Sequence, residues 1–379
     1  MADFTREEIE EKLEEYRELI AAREEEDEFV DEPDEGGVED EDTPDEESAE
    51  EKAEGEEENP DKEENEEPEE ETLENIFDEK DLSGLDLSGL NFHGINLRKT
   101  NLKNTNLSGC TLAESNLDQA NLDQTNLSDA DLENISCLEG VMTNANMESV
   151  NLQGAKLLGT DFSKSNLEGA NFRKSKSMET KLVNCNLNET DFSNSDFSRA
   201  NLQDAKITNS DLSRARFNNA DFERTDLTDS RLSMGVFFEG NFKSANLNRA
   251  LIKGAKLAGG IFTDARLPRA DITGADLTDA KFHNADLSRS KLNGAILRRT
   301  DLKDSDLSEA DLNIADLTGA NLADASLTDA SLSWADLSGA DLTGAHMTGA
   351  TPSSSHAVMQ AFTSRSWPER ESIALENNS

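Results

Sequence analysis

The chain has few of the residues from which disulfide frameworks, metal sites and most active sites are built. Its 379 residues include only 3 Cys and 4 His. No Cys or His has a second Cys or His at the spacing of a zinc site, and the cysteines are too few for a disulfide framework. The sequence also contains no phosphate loop, nucleophile elbow or plausible catalytic triad. We therefore expect no enzyme activity, no cofactor and no bound metal.

Long hydrophobic runs are also missing, and basic residues are scarce. No apolar segment approaches the roughly 20 residues that cross a membrane, and the first residues are acidic, unlike those of an export signal. We therefore expect a cytoplasmic protein without a membrane segment. The 36 Lys and Arg are outnumbered by 82 Asp and Glu, giving a net charge of −46. This balance resembles that of proteins from salt-accumulating microbes, and we expect a halophilic, archaeal source.

What the chain does have is one apolar side chain at every fifth residue from Leu82 to Met347. These 54 centres hold 35 Leu, 11 Phe, 3 Ile and 3 Met, and the two exceptions are Cys137 and Ser177. A spacing of five would spread the centres around a helix and would alternate them between the two sides of a strand. The chain must therefore turn once in each repeat.

The positions before each centre show how the repeat is built. Two residues before the centre, 48 of 54 residues are Gly, Ala, Ser, Thr or Cys, and in an extended segment these share the inward side of the centre. One residue before the centre, 34 of 54 are Asp or Asn, which point outward and bond to nearby backbone in turns. Cys110 and Cys185 occupy inward positions, so we interpret them, with Cys137, as buried apolar residues.

The motif Ala-Asp-Leu-Ser-Gly, as at residues 335–339, resembles the pentapeptide-repeat family, and the resemblance covers residues 80–350. It implies an all-β fold, a right-handed quadrilateral parallel β-helix with four repeats per coil. At that size the 54 repeats would form about 13 coils, a rod roughly 65 Å long. Residues 20 apart would then stack. Phe222, Phe242, Phe262 and Phe282 would form one column, Phe197, Phe217 and Phe237 a second, and Phe172 and Phe192 a third.

The chain divides into four segments. Residues 1–30 are predicted to hold an amphipathic helix, residues 31–72 to be a disordered acidic linker, residues 73–350 to form the repeat domain with its amino-terminal cap, and residues 351–379 to form a carboxy-terminal cap or tail. Residues 1–80 carry 41 acidic and 7 basic side chains, whereas residues 156–300 carry 18 acidic and 23 basic ones. The acidity is therefore concentrated before the repeats, and the middle of the repeat domain is mildly basic.

The amino-terminal helix has a narrow apolar stripe. Thr5 and Glu8 form a capping box, and Ile9, Leu13, Tyr16 and Ile20 recur at helical spacing. A lone helix of this length is marginally stable, so the stripe pairs with a second copy, docks on the repeats or on a partner, or frays. A homodimer is an alternative here and at the carboxy-terminal end, where some relatives of the family associate.

Departures from the repeat indicate a candidate contact site. Leu138, Leu158 and Met178 occupy the usually polar position after the centre and lie 20 residues apart, and Phe238 falls in the same column. Lys156 and Lys176 lie beside them. If the register holds, these residues form an exposed ridge that a partner would contact. If it slips at Cys137 and Ser177, Leu138 and Met178 turn inward.

Two classes of function compete, with a third beside them. The first is a non-enzymatic scaffold that presents the sides of a rigid rod to a protein partner, whose identity the sequence does not give. The second comes from the family resemblance, since some members mimic duplex DNA and modulate type II topoisomerases. Mimicry needs a continuous acidic surface, which the basic middle interrupts. The third is binding of a polyanion by that middle, either nucleic acid or the chain's own acidic tail. Nucleic acid is weakly supported because the basic residues of the middle alternate with acidic ones.

Overall fold

The structure is a computed structural model that describes residues 2–28 and 75–352. One helix, α1, spans Arg6–Glu28. Two short strands, β1 (Ser331–Leu332) and β2 (Thr351–Pro352), pair in parallel with Ser331 opposite Thr351. The helix expected near the amino terminus is therefore present. The predicted linker, residues 31–72, and the predicted carboxy-terminal cap from residue 353 onward lie outside the described residues.

The repeat region is held together by parallel bridges between single residues 20 positions apart. They begin with Asp81 opposite Asn101 and continue to Ser326 opposite His346. Each stretch of 20 residues contributes four bridge residues, with a two-residue turn after each repeat centre. The bridges therefore form four series, which we name the first, second, third and fourth ladders after their opening residues Asp81, Asp86, Asn91 and Asn96. One coil is 20 residues.

The turns explain the Asp and Asn before each centre. The second turn residue has a positive φ, as in Gly84 at 73° and Asn104 at 58°. That left-handed conformation favours Gly and Asn. The side chain three residues earlier closes the turn, as when Asp191 Oδ1 accepts a hydrogen bond from the amide of Ser193 at 2.8 Å. The predicted bonding of these outward residues to nearby backbone is confirmed.

The interior is a continuous column of the repeat centres. The centres from Leu82 to Leu342 are buried, including Cys137 and Ser177. The phenylalanines stack at the predicted 20-residue interval, with 4.7 Å between the ring centroids of Phe222 and Phe242 and 4.5 Å between those of Phe262 and Phe282. The other two predicted columns stack as well. Burial of these centres is the main stabilising contribution to the repeat region.

The small residues beside the centres leave room for large ones. A Cβ atom on Gly240 would lie 3.0 Å from Cε2 of Phe242 and 3.2 Å from the carbonyl oxygen of Phe237. Where this inward residue is Thr or Ser, its hydroxyl commonly donates to the carbonyl of a centre in the preceding coil, as from Thr225 to Leu202 at 2.9 Å. The inward position is therefore small for space, and its hydroxyls commonly have a carbonyl partner, although the buried Ser290 hydroxyl has none within the described residues.

Helix α1 covers the open end of the first coil. Ile9 and Leu13 are buried, and the Phe4 ring packs edge-on against Phe77 at 5.7 Å. In the first coil, Leu85, Leu90 and Ile95 replace the small inward residues and pack with the core. Larger side chains here fill the space between the helix and the first repeat centres. The first coil therefore ends in an apolar contact rather than in water.

Polar groups of the amino-terminal segment complete the exposed ladder edges. Arg6 donates to the carbonyls of Asp86 and Ser88 at 3.0 and 3.2 Å, and Arg17 donates to that of Asn91 at 2.8 Å. In the coils beyond, the equivalent carbonyls accept from the amides of the coil before. The two arginines therefore supply donors that a preceding coil would otherwise supply.

A candidate partner-binding surface

The fourth ladder differs from the other three in its outward residues. Its members from Asn96 to Lys256 are, in order, Asn96, Asn116, Ser136, Lys156, Lys176, Asp196, Arg216, Val236 and Lys256. Asp196 is the one carboxylate among these nine, whereas Asp and Asn predominate at the equivalent places elsewhere. This ladder therefore presents a basic and partly apolar strip along the rod.

The turn residues that follow this ladder are apolar over several coils. Leu158 and Met178 are each 41% exposed, Phe238 is 38% exposed and Leu138 is half-buried. The bridge pairs Ser136 with Lys156 and Lys156 with Lys176 are intact, so the register does not slip at Cys137 or Ser177. The structure therefore places Leu138 and Met178 on the outside, and the inward alternative is wrong.

A shallow groove lies beside Met178 on this side of the rod. Its volume is about 380 Å³, and its lining includes Leu158, Met178, Ser198 and Asn218. Ser198 and Asn218 form the floor of the groove because their side chains are small. The equivalent residues in the coil before Ser198 and the coil after Asn218 are the larger Met178 and Phe238. Arg199 and Glu179, paired at 3.0 Å, lie along one wall.

Two further apolar residues, Met234 and Val236, extend the site across the ladder. Met234 is 62% exposed and sits on the turn that precedes the fourth ladder, and Val236 is half-buried within it. The Met234 sulfur lies over Gly254 in the next coil, 2.8 Å from where a Cβ would stand. With Phe238 these residues form an apolar band across the full width of the ladder.

The basic side chains of the ladder are largely free of acidic partners. Among the described residues, Lys156, Lys176 and Lys256 have no ion pair, and Arg216 meets Asp196 only at 3.9 Å. Elsewhere many basic residues are closely paired, as Arg224 is to Asp204 at 2.7 Å. We name the four basic residues, together with Leu138, Leu158, Met178, Met234, Val236 and Phe238, the fourth-ladder surface.

Sequence reasoning identified only part of this surface. It singled out Leu138, Leu158, Met178, Phe238, Lys156 and Lys176, which the structure brings to one side of the rod. It missed Met234, Arg216 and Lys256. Lys256 and Arg216 lie at multiples of 20 from Lys176, so extending that column would have found them. Met234 stands at the second turn position, and an apolar residue at a place that favours Gly or Asn was its signal.

The predicted contact stripe of the helix lies against the chain's own first coil. Tyr16 and Ile20 are half-buried and, with Leu13, line a cavity of about 330 Å³ against His93, Gly94 and Ile95. Ile9 and Leu13 are buried within the same chain and are not presented to a second copy. Of the three alternatives for this stripe, the structure has the helix docked on the repeats.

A second apolar pair lies nearer the carboxy-terminal end. Ile314 and Trp334, one coil apart, occupy the turn between the third and fourth ladders and are 62% and 67% exposed. Both have positive φ, at 61° and 63°, where β-branched and bulky residues are unfavourable. Nothing in the sequence analysis pointed to this pair.

The structure gives no support for chemistry at the cysteines. Burial raises the pKa of Cys110 to about 11 and those of Cys137 and Cys185 to about 12, so all three thiols stay protonated at neutral pH. In the part of the chain that the structure describes, no three His, Cys, Asp or Glu side chains are grouped as a metal site. Nor does α1 have the apolar length to cross a membrane.

Solved structures of several repeat proteins are similar to this chain. HetL from the cyanobacterium Nostoc sp. strain PCC 7120, involved in heterocyst differentiation regulation, is 29% identical, with 69% of this chain and 91% of HetL covered and a TM-score of 0.25. QnrB1, a plasmid-mediated fluoroquinolone resistance protein, is 17% identical, with 52% and 95% covered and a TM-score of 0.20. A pentapeptide repeat protein of the Arabidopsis thaliana thylakoid lumen is 32% identical, with 26% and 61% covered and a TM-score of 0.17.

No curated protein sequence matches the chain. The family model for pentapeptide repeats matches in 8 copies, over residues 75–104, 100–136, 142–176, 245–284, 280–319 and 315–351. A second model, for a pentapeptide repeat region, matches residues 160–232. These matches cover most of the region in which the bridges join residues 20 apart. The chain therefore belongs to the pentapeptide-repeat family.

Proposed function

We propose that this protein is a non-enzymatic scaffold that binds a protein partner through the fourth-ladder surface. The observation that carries the proposal is the combination of exposed apolar side chains with Lys156, Lys176 and Lys256, which have no ion pair among the described residues. Exposed apolar groups on a polar rod are typical of contact sites. The ladder spacing of about 4.8 Å places Leu138 and Phe238, five coils apart, about 24 Å from one another along the rod.

The chemistry of the surface indicates the chemistry of the partner. Lysines without an ion pair among the described residues attract carboxylates, and the groove beside Met178 accepts an apolar side chain. An acidic segment with an apolar side would satisfy both features. The charges would speed association and select the partner, and the desolvated apolar contacts would supply most of the affinity.

Affinity capture from the native host with matched variants tests the proposal. The full chain carrying Leu158→Ser, Met178→Ser and Phe238→Ser should lose a partner that the unchanged chain retains. The control carries Val141→Ser, Leu251→Ser and Trp334→Ser, which remove exposed apolar residues elsewhere. If both variants retain the same partners, the assignment of this surface is wrong.

The rod geometry implied by the family remains part of the proposal. We propose a right-handed, four-sided β-helix of about 13 coils, supported by the four bridge residues in each 20-residue coil. Small-angle scattering should give a rod roughly 65 Å long. DNA mimicry is the second candidate from the family, and the cations of the fourth ladder argue against it. A supercoiling assay at the host's working salt concentration would distinguish the two functions.

A further inference from the structure

We infer that the chain's own acidic segment, residues 29–74, lies along the fourth-ladder surface and competes with the partner there. This inference rests on the proposed function because it assigns a regulator to the same surface. The segment holds 26 acidic and 2 basic residues in a length of 46. It joins α1 to the first repeat, so both of its ends are fixed by the described structure.

The segment begins after a helix that runs from the second ladder past the third, and the described chain resumes beside the first residue of the fourth ladder. Helix α1 crosses the first coil in that direction, since Arg6 meets the second ladder at Asp86, Arg17 meets the third at Asn91, and Ala21 lines one cavity with Gly94 in the turn that follows. The chain returns at Asn75, whose side-chain oxygen accepts a hydrogen bond at 2.7 Å from Asn96. Asn96 is the first residue of the fourth ladder.

The segment is long enough to cover the basic strip. Lys156 lies three coils from Asn96 and Lys256 eight coils, which are about 14 Å and 38 Å at the ladder spacing. Half of the segment, 23 residues, spans about 75 Å when extended. The segment can therefore run out to Lys256 and back without strain.

Charge favours this ladder over the other sides of the rod. From Asn96 to Lys176 its outward residues include no carboxylate, whereas the first and second ladders open with Asp81 and Asp86. A polyanion anchored at Asn75 therefore meets neutral residues first and then Lys156 and Lys176. Because the carboxylates of residues 29–74 are tethered beside these lysines, their effective concentration there is far above that of a free partner.

The consequence is a contact surface that is covered until a stronger ligand displaces the segment. A partner that offers only negative charge would compete poorly with the tethered carboxylates. A partner that also fills the groove beside Met178 would displace the segment. The segment thus selects for partners that combine acid with apolar side chains.

Zero-length carbodiimide crosslinking of the full chain, read by peptide mass spectrometry, tests this inference. At low ionic strength we expect Lys156, Lys176 and Lys256 to be joined to carboxylates of residues 29–74. Lys206 and Lys281 are matched controls, since they too have no ion pair with another described residue but lie on the second and first ladders. The yield of crosslinks at Lys206 and Lys281 should be about tenfold lower than at Lys156, Lys176 and Lys256. Mixing isotopically labelled and unlabelled chains separates links within one chain from links between chains.

High salt gives a second readout. The electrostatic screening length falls from about 10 Å at 0.1 M salt to about 3 Å at 1 M, so the crosslinks should be lost at high salt. Equal yields at control and ladder lysines, or links only between chains, would overturn the inference. If these crosslinks are absent while partner capture still requires Leu158, Met178 and Phe238, the inference fails and the proposed function stands. If the crosslinks form but partner capture does not depend on these three residues, the proposed function fails and the placement of the segment stands.

Discussion

Asp3 and Asp81 form a reciprocal pair in which the amino-terminal segment replaces a missing strand. The Asp3 amide donates to the carbonyl of Asp81 at 2.6 Å, and the Asp81 amide donates to the Asp3 carboxylate at 2.6 Å. Both groups of Asp81 that would otherwise face an absent coil are satisfied. The first coil is therefore closed by polar contacts as well as by Ile9 and Leu13.

Removing Arg6 should loosen this end of the rod without affecting its middle. In Arg6→Ala the carbonyls of Asp86 and Ser88 lose their charged donor, at a cost of about 1 to 3 kcal/mol. Amide hydrogen exchange should accelerate in α1 and in residues 81–95. The control is Arg199→Ala, since the ion pair of Arg199 within residues 75–352 is with an exposed Glu179. Equal acceleration throughout the rod would contradict a local capping role.

The packing of Gly240 against Phe242 predicts a coupled pair of substitutions. Gly240→Ala places a methyl group 3.0 Å from the Phe242 ring and should cost about 1 to 3 kcal/mol. In a Phe242→Leu background the ring is absent, and the same change should cost clearly less. Urea unfolding of the two single variants and the double variant measures the coupling energy. Strictly additive effects would show that the ring does not limit the inward residue.

The left-handed backbone at Ile314 predicts a stabilising substitution. Ile314→Gly relieves the crowding of a β-branched side chain at a φ of 61° and should raise the free energy of unfolding by about 1 kcal/mol. Gly294→Ala, at the same turn one coil earlier with a φ of 63°, should lower it by a similar amount. Thermal unfolding of both variants tests the pair. A loss of stability in Ile314→Gly would mean that the exposed side chain packs on something in solution.

Stability of the repeats should fall in acid because of carboxylates such as Asp123. Hydrogen bonds from Thr143, Asn144 and Lys103 hold the pKa of Asp123 well below its usual range. Because the folded-state pKa is the lower one, this stabilisation is full above about pH 4 and disappears as the pH falls through the folded value.

Urea unfolding of Asp123→Asn at several pH values checks this. The variant should be less stable than the unchanged chain at pH 7, by about 1 to 3 kcal/mol, and the difference should shrink towards pH 3. The control is Asp129→Asn, since no hydrogen bond to the Asp129 carboxylate occurs within the described residues. A difference that does not change with pH would contradict the assignment to ionised Asp123.

Periodicity made the interior predictable. The centres lie five residues apart and one coil is four repeats, so the stacking of Phe242 on Phe262 follows from their separation of 20. The outward position of Met178 needed the structure, since the sequence alone allowed a slip at Ser177. The bridges at Lys156 and Lys176 settle the register because a slip would break them.

The amino-terminal contacts could not be predicted, because an amphipathic stripe does not specify what covers it. Ile9 and Leu13 fit a second helix as well as they fit the first coil. The deciding features are Arg6 and Arg17, whose side chains reach carbonyls that no repeat precedes. On a solvated helix the same arginines would carry no such information, so their role depends on the tertiary structure.

The 20-residue coil restricts how such a molecule can change in length. Inserting one five-residue repeat between Met178 and Phe238 would keep every buried leucine in the interior. It would, however, rotate all later residues about the rod by a quarter of a revolution. Met178 and Phe238 would then lie on different sides of the rod. Only insertions or deletions of whole coils preserve both the interior and the outer pattern, so a surface of this kind grows or shrinks in steps of four repeats.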